Sequence, residues 1–169
     1  MPFSAIASST RFRLSPPGEG PSDSRHQTAA QGSPAHKRVE QRAPHVLVID
    51  DEASIRAALR RFFVRRGWGY DEAGDGAHGL ELLLGAKEPY TVVVCDIRMP
   101  RMTGAELYDA LVSQRPDLLP RLIFIAGDVT SPDVVSFLSR IDRPVLMKPF
   151  ELQMLAQTIE RLRKEIGDG

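Results

Sequence analysis

Three short stretches decide how this chain folds: V-L-V-I-D-D-E at 46–52, V-V-V-C-D-I-R-M-P at 92–100 and V-L-M-K-P-F at 145–150. Each is an apolar run that stops at a charged residue. Apolar runs of this kind, separated by helix-like segments, indicate buried parallel strands. Parallel strands point their carboxyl ends to the same edge of the sheet, and open α/β sheets bind their ligands at that edge.

Four charged residues end these three runs. Asp50 and Asp51 follow the first run, Asp96 ends the second and Lys148 follows the third. We therefore expect three carboxylates and one ammonium group to converge at one edge of the sheet. Carboxylates brought together repel, and each disfavours the ionisation of its neighbours. A divalent cation would relieve this repulsion, and Mg²⁺ prefers oxygen ligands.

From residue 44 onward, strand-like runs alternate with amphipathic helical segments. Thr103, with Glu106 three residues later, predicts a capping box, and Ser131-Pro132 is typical of a helix start. Five strands alternating with five helices predict a single doubly wound α/β domain over 44–166. The predicted strands are 45–50, 68–72, 91–95, 121–126 and 144–147, and the predicted helices are 52–65, 75–86, 103–114, 131–139 and 151–166.

Residues 1–43 differ in composition from the rest of the chain. They are rich in Ser, Pro and Arg and have neither a strand nor a helix period, so we predict a disordered tail. Residues 1–44 carry six basic and three acidic residues, and the remainder carries 16 basic and 19 acidic residues. Neither balance favours a nucleic-acid-binding domain. No apolar run approaches the roughly 20 residues of a membrane span.

Cys95 is the only cysteine, and it lies inside an apolar run. A single cysteine forms no internal disulfide, which fits a reducing compartment, and we expect a cytoplasmic protein. The surrounding residues favour a small buried hydrophobic side chain over a reactive thiol.

The order of these motifs resembles the receiver domain of two-component response regulators, in the CheY-like superfamily. The resemblance covers about 44–166. It rests on the acidic pair, on Asp96, on the Lys148-Pro149 dipeptide, and on Pro100 and Gly104, which lie four and eight residues after Asp96. It implies a (βα)5 flavodoxin-like fold with strand order 2-1-3-4-5. It also implies phosphoryl transfer from a histidine kinase or a histidine phosphotransfer protein.

The same resemblance implies a role for each charged residue. Asp96 would be the phosphoacceptor. Asp51 and Asp96 would be direct ligands of Mg²⁺, Asp50 would act through water, and the backbone carbonyl of Arg98 would be a further ligand. Lys148 would pair with the acceptor carboxylate or with the phosphoryl group. The chemistry is consistent with these roles, since a carboxylate can act as a nucleophile and form an aspartyl phosphate.

Two positions depart from the pattern of the family. Receivers usually carry Ser or Thr at the end of the fourth strand, where this chain has Ala126. The second switch position is usually aromatic, and here it is Val145. A hydrogen bond to a charged group contributes about 1.5–3 kcal/mol, so a missing hydroxyl should weaken the coupling between the phosphoryl group and the far face. We therefore expect muted output, or output by another route.

The leading hypothesis is a single-domain response regulator in a phosphorelay, which is not an enzyme except for its own phosphorylation and dephosphorylation. The alternative is an interaction module with muted or no phosphorylation-dependent switching. An aspartate-nucleophile phosphohydrolase is disfavoured, because Arg98 stands where such enzymes have a second Asp. We expect no nucleic acid or membrane partner. The sequence leaves open a weak homodimer, the downstream target, and whether the chain is a detached end of a hybrid kinase.

Overall fold

The computed structural model describes residues 43–167, and the disordered tail predicted over 1–43 lies outside the described residues except for residue 43. Five strands alternate with five α-helices in the described part, as the sequence predicts. Within residues 43–167, no helix combines the length and the apolar composition that crossing a bilayer requires.

The strands form one parallel sheet, and its order confirms the predicted 2-1-3-4-5 arrangement. The first strand lies between the second and the third, pairing Val46 with Tyr70 on one side and with Val92 on the other. The strands are β1 His45–Ile49, β2 Gly69–Ala73, β3 Val92–Asp96, β4 Leu122–Ala126 and β5 Val145–Met147.

The helices begin at the residues that the capping signals indicate. The hydroxyl oxygen of Thr103 accepts the Glu106 N–H at 3.2 Å, and the Thr103 N–H donates to the Glu106 carboxylate at 2.8 Å, which confirms the capping box. Pro132 opens its helix, but the Ser131 side chain makes no capping hydrogen bond. The helices are α1 Ala53–Val64, α2 Gly76–Gly85, α3 Gly104–Gln114, α4 Pro132–Arg140 and α5 Leu152–Gly167.

Helices cover both faces of the sheet, and the side chains of each strand alternate between the two resulting cores. From β1, Val46 and Val48 pack with residues of α1 and α5, while Leu47 and Ile49 pack with residues of α2, α3 and α4. Full burial of such an aliphatic side chain stabilises the fold by about 1.5–3 kcal/mol. The two-sided core explains why the inner strands β1, β3 and β4 are largely continuous apolar runs, whereas the edge strand β2 carries Asp71 and Glu72.

One element was not predicted. Pro116–Arg121 form a 3-10 helix between α3 and β4, so β4 begins at residue 122 and not at 121. Pro116 stands at its first turn, and Leu118 is buried in the core beside the α2, α3 and α4 face. The segment is too short for a helical period to be visible in the sequence.

The loop after β3 packs directly against the end of that strand. The Gly104 N–H donates to the carbonyl of Ile97 at 2.9 Å. A Cβ atom at Gly104 would lie 2.5 Å from the carbonyl oxygen of Asp96 and 3.0 Å from the Cα of Ile97. Only glycine permits this approach of backbone to backbone. The close packing holds the end of β3, and with it Asp96, in a defined position.

Candidate functional site

The structure brings the ends of β1, β3 and β5 together at one edge of the sheet. The ammonium nitrogen Nζ of Lys148 lies 2.5 Å from Oδ2 of Asp96 and 3.1 Å from Oδ2 of Asp50. Lys148 follows β5, Asp96 ends β3, and Asp50 follows β1. Asp96 and Asp50 are 52 and 98 positions from Lys148 along the chain, so the parallel sheet and its strand order account for their meeting.

Asp96 is buried, with 4% of its surface exposed. One carboxylate oxygen, Oδ1, accepts the backbone N–H of Arg98 at 3.0 Å, and the other accepts the Lys148 ammonium. Both oxygens are therefore held in fixed directions, and the carboxylate group cannot rotate without losing a charge-assisted hydrogen bond.

Asp50 is more deeply buried, with 1% of its surface exposed. Burial raises the pKa of the Asp50 carboxyl above its ordinary value, and the negative charge of Asp96 raises it further. A hydrogen bond from the Glu52 N–H to Oδ1 at 2.7 Å and the contact with Lys148 both oppose that rise. The carboxyl thus lies where an added positive charge would stabilise its ionised form.

Lys148 contacts a third carboxylate, that of Glu52, at 2.9 Å. Burial lowers the pKa of Lys148, but the hydrogen bonds to Asp96 and Glu52 outweigh this effect and raise that pKa above its ordinary value. The side chain therefore stays charged and is directed at the carboxylates. We call Asp50, Glu52, Asp96 and Lys148 the carboxylate–lysine cluster.

Glu52 was not predicted as a residue of the site, and Asp51 lies outside the group of carboxylates that meet there. Carboxylate oxygens of Asp50, Glu52 and Asp96 all lie within 4.8 Å of one another, and Asp51 does not belong to this group. Asp51 is exposed and borders a groove that Arg98 also lines. The direct metal contact expected of Asp51 remains a prediction. The third acid of the D-D-E run was the available signal for Glu52.

Arg98 connects the site with the loop after β4. Its backbone N–H binds Asp96, while its guanidinium lies 3.6 Å from Asp128 and 3.4 Å from Asp133 at the start of α4. The carbonyl contact with a metal, expected from the resemblance, remains a prediction. The contacts of the Arg98 side chain with Asp128 and Asp133 had no signal in the sequence.

The two atypical switch positions are packed within the structure. Ala126 is buried at the end of β4, and its carbonyl accepts the Lys148 N–H at 2.7 Å. Val145 packs against the apolar core on the face of α2, α3 and α4. The nearby hydroxyl of Thr130 donates to Asp128 at 2.7 Å and is therefore engaged within its own loop.

Cys95 is fully buried in β3, as the sequence indicates. Burial raises the pKa of its thiol well above the ordinary value, and the charges of Asp96 and Asp50 add to the effect. The thiolate, which is the reactive form, is therefore disfavoured. Cys95 acts as a small hydrophobic core residue.

Replacing Asp50 by asparagine is expected to raise the free energy of unfolding at neutral pH, in the absence of Mg²⁺, by on the order of 1 kcal/mol. A carboxyl whose pKa rises on folding binds its proton more tightly in the folded state, so stability is lost as the pH rises through the folded pKa. Asparagine avoids that loss, and Lys148 keeps its other two carboxylate partners.

The gain in the free energy of unfolding for Asp50→Asn should vanish at a pH below the ordinary aspartate pKa of about 3.9. There the wild type and the variant both carry a neutral side chain at position 50. Urea unfolding at a series of pH values measures it. A gain that persists or increases toward acid pH would contradict the conclusion that the buried charge of Asp50 destabilises the fold.

The fold and the converging charges define a class of protein: α/β domains with an acidic site and one lysine at the carboxyl edge of the sheet. A model of the response regulator receiver domain matches residues 46–160. The chain belongs to the response regulator receiver family of two-component signalling, which confirms the resemblance.

Curated relatives extend beyond this domain. Response regulator MprA of Mycolicibacterium vanbaalenii is 36% identical over 124 residues, which are 73% of this chain and 52% of that protein. Transcriptional activator protein PfeR of Pseudomonas aeruginosa is 31% identical over 130 residues, which are 76% of this chain and 41% of that protein. The chain spans about half the length of the curated relatives it matches.

Solved structures show the same fold. The receiver domain of the Francisella response regulator 1452 superposes with a TM-score of 0.62 at 27% identity, covering 73% of this chain and 98% of that one. Vibrio cholerae chemotaxis protein CheY4 superposes with a TM-score of 0.61 at 27% identity, covering 71% of this chain and 98% of that one. Both are matched over nearly their whole length.

Proposed function

We propose that this receiver accepts a phosphoryl group on Asp96 from a phosphohistidine of a histidine kinase or phosphotransfer protein. The observation that carries the proposal is the arrangement of the Asp96 carboxylate, buried and held by the Arg98 N–H and the Lys148 ammonium. Such a carboxylate is a fixed nucleophile with positive charge beside it, and phosphoryl transfer depends mostly on positioning and charge neutralisation.

In the proposed transfer, a carboxylate oxygen of Asp96 forms a bond to phosphorus while the phosphorus–nitrogen bond of the phosphohistidine breaks. The imidazole keeps the electron pair of the broken bond. The Asp96 carboxylate becomes an acyl phosphate, and its negative charge is replaced by that of the phosphoryl oxygens. Lys148 then pairs with a phosphoryl oxygen, because the phosphoryl oxygens now carry the negative charge that the Asp96 carboxylate has lost.

The cluster is suited to Mg²⁺. Asp50, Glu52 and Asp96 offer the oxygen ligands that this ion prefers, and burial of Asp50 favours an added cation. Asp51 and the Arg98 carbonyl remain proposed ligands. When bound, Mg²⁺ supplies positive charge that stabilises the phosphoryl oxygens during transfer.

The chain would modify only itself, so it is not proposed as an enzyme with a separate substrate. Its proposed partners are the phosphodonor, which would share its cytoplasmic location, and a downstream protein. We propose no nucleic-acid partner for residues 45–169, because this segment carries 16 basic and 19 acidic residues.

The test is transfer of radiolabel from an autophosphorylated histidine kinase to the chain, run with Mg²⁺ and with a chelator. We expect label on the chain only with Mg²⁺. The absence of label from every kinase tried, and from the small donors acetyl phosphate and phosphoramidate, would refute the proposal.

A second candidate is a receiver whose phosphorylation changes its conformation only weakly. Ala126 has no hydroxyl to offer a phosphoryl oxygen, and Val145 has no ring to move. Val145 is also packed against the core, so the usual pair of moving side chains is absent. A ligand shifts two states only through its differential affinity for them.

Beryllofluoride, which mimics the phosphoryl group on aspartate, tests the second candidate. We expect amide shift changes at 96–104 and only small ones across 127–150, because the hydroxyl that would join the two regions is missing. Two-dimensional NMR of the labelled chain with and without beryllofluoride measures this. Large shift changes throughout 127–150 would contradict muted output.

A further inference from the structure

Glu52 stands at the position that caps α1, yet its side chain caps nothing. It precedes Ala53, the first residue of the helix, and makes no side-chain hydrogen bond to the helix backbone. The carboxylate instead reaches across the sheet edge to Lys148, at 2.9 Å. Its backbone N–H donates to Oδ1 of Asp50 at 2.7 Å, which fixes the position of the Glu52 backbone relative to the site.

The ammonium group of Lys148 has no free donor in this arrangement. An ammonium carries three N–H donors, and Asp50, Glu52 and Asp96 accept one each. Transfer releases the donor that Asp96 accepts, and any further donor that Lys148 gives to the phosphoryl group must be taken from Asp50 or Glu52. The residue displaced at the lowest cost is the one that water can solvate afterwards.

Glu52 is that residue. Its side chain is 53% exposed, whereas those of Asp50 and Asp96 are 1% and 6% exposed. The Glu52 carboxylate can turn into solvent, while the Asp50 carboxylate would remain buried without its partner.

We propose that Glu52 is a positioning residue that competes with the phosphoryl group for Lys148 and so weakens retention of phosphate on Asp96. The inference rests on the proposed function and adds to it a determinant of how long the phosphorylated state lasts. In that state the acyl phosphate removes the carboxylate charge of Asp96 and adds phosphoryl charge nearby. The charge of Glu52 remains and opposes the phosphoryl group.

The experiment compares the wild-type chain with Glu52→Gln, which keeps the size of the side chain and removes its charge. The probe is beryllofluoride with Mg²⁺, titrated calorimetrically. We expect Glu52→Gln to bind beryllofluoride roughly two- to fivefold more tightly, as suits the loss of one partly exposed charge. We also expect its aspartyl phosphate to hydrolyse more slowly by a similar factor.

The matched control is Glu151→Gln, which removes the same charge from an exposed side chain three residues after Lys148. It is expected to bind beryllofluoride as the wild type does. A titration with Mg²⁺ alone is run on all three chains. It separates competition for Lys148 from loss of a metal ligand, since a ligand role for Glu52 would weaken Mg²⁺ binding in Glu52→Gln.

Equal affinities of the wild type and Glu52→Gln would overturn the inference, as would weaker binding by Glu52→Gln. An equal gain in Glu151→Gln would also overturn it, because the effect would then be one of net charge. Failure of the wild type itself to bind beryllofluoride would overturn the proposed function, and the inference with it.

Discussion

Replacing Asp96 by asparagine is expected to abolish phosphoryl transfer to this chain. The amide has nearly the shape of the carboxylate and can still accept the Arg98 N–H, so the fold should be kept. It lacks the anionic oxygen that attacks phosphorus, and no acyl phosphate can form. The measurement is label transfer from an autophosphorylated kinase and from acetyl phosphate, with circular dichroism to check folding.

The matched control for Asp96→Asn is Asp117→Asn, on the surface of the 3-10 helix. Its carboxylate pairs with Arg115 at 2.7 Å, and its side chain is 58% exposed. This variant should take up label as the wild type does. Label on Asp96→Asn at the wild-type level would place the acceptor at another residue and refute its assignment.

Replacing Lys148 by methionine should have the largest effect on stability of any change in the cluster, a loss of about 3 kcal/mol at neutral pH without Mg²⁺. Methionine retains much of the length of the side chain but leaves the buried carboxylates of Asp50 and Asp96 without their shared cation. Removing one partner of a buried ion pair leaves an uncompensated charge, and here it leaves two that repel each other.

The loss for Lys148→Met should depend on pH with a definite sign. The pKa of Lys148 is raised on folding, so its contribution is present below the unfolded lysine pKa of about 10.4 and is lost as the pH rises through the folded pKa. As the pH falls through the raised pKa of Asp50, this carboxyl takes up a proton in the variant and the repulsion falls, so the difference from the wild type should shrink.

Urea unfolding of the two chains at neutral and acid pH measures this difference, and Lys87→Met, at an exposed position, is the control. Mg²⁺ should restore part of the lost stability by binding the folded carboxylates. A loss below about 0.5 kcal/mol at neutral pH, the range of ordinary surface substitutions, would mean that Lys148 is not the partner that balances these charges.

The meeting of the strand ends was predictable from the sequence because it depends on two simple regularities. Continuous apolar runs indicate strands covered on both faces, and parallel strands carry their last residues to one edge. Asp96 and Lys148 were therefore expected at the same edge of the sheet once the strands were parallel. The strand order needed the resemblance to receivers, since periodicity does not say which strands are neighbours.

The roles of consecutive acids were not predictable in the same way. Between the end of β1 at Ile49 and the start of α1 at Ala53, the chain turns, and the turn decides which side chains point inward. Asp50 is buried, Asp51 is exposed, and Glu52 reaches back to Lys148. All three are consecutive carboxylates, so the backbone path and the rotamers decide which of them reaches the site.

The central claim is that the phosphoryl group is carried by Asp96, and direct location of the modified residue tests it most closely. The chain is phosphorylated with acetyl phosphate and Mg²⁺ and then treated with borohydride, which reduces an aspartyl phosphate to homoserine. Peptide mass spectrometry then finds the reduced residue. The account predicts homoserine at position 96 in the peptide that includes β3; homoserine at another aspartate, or none in a phosphorylated chain, would contradict it.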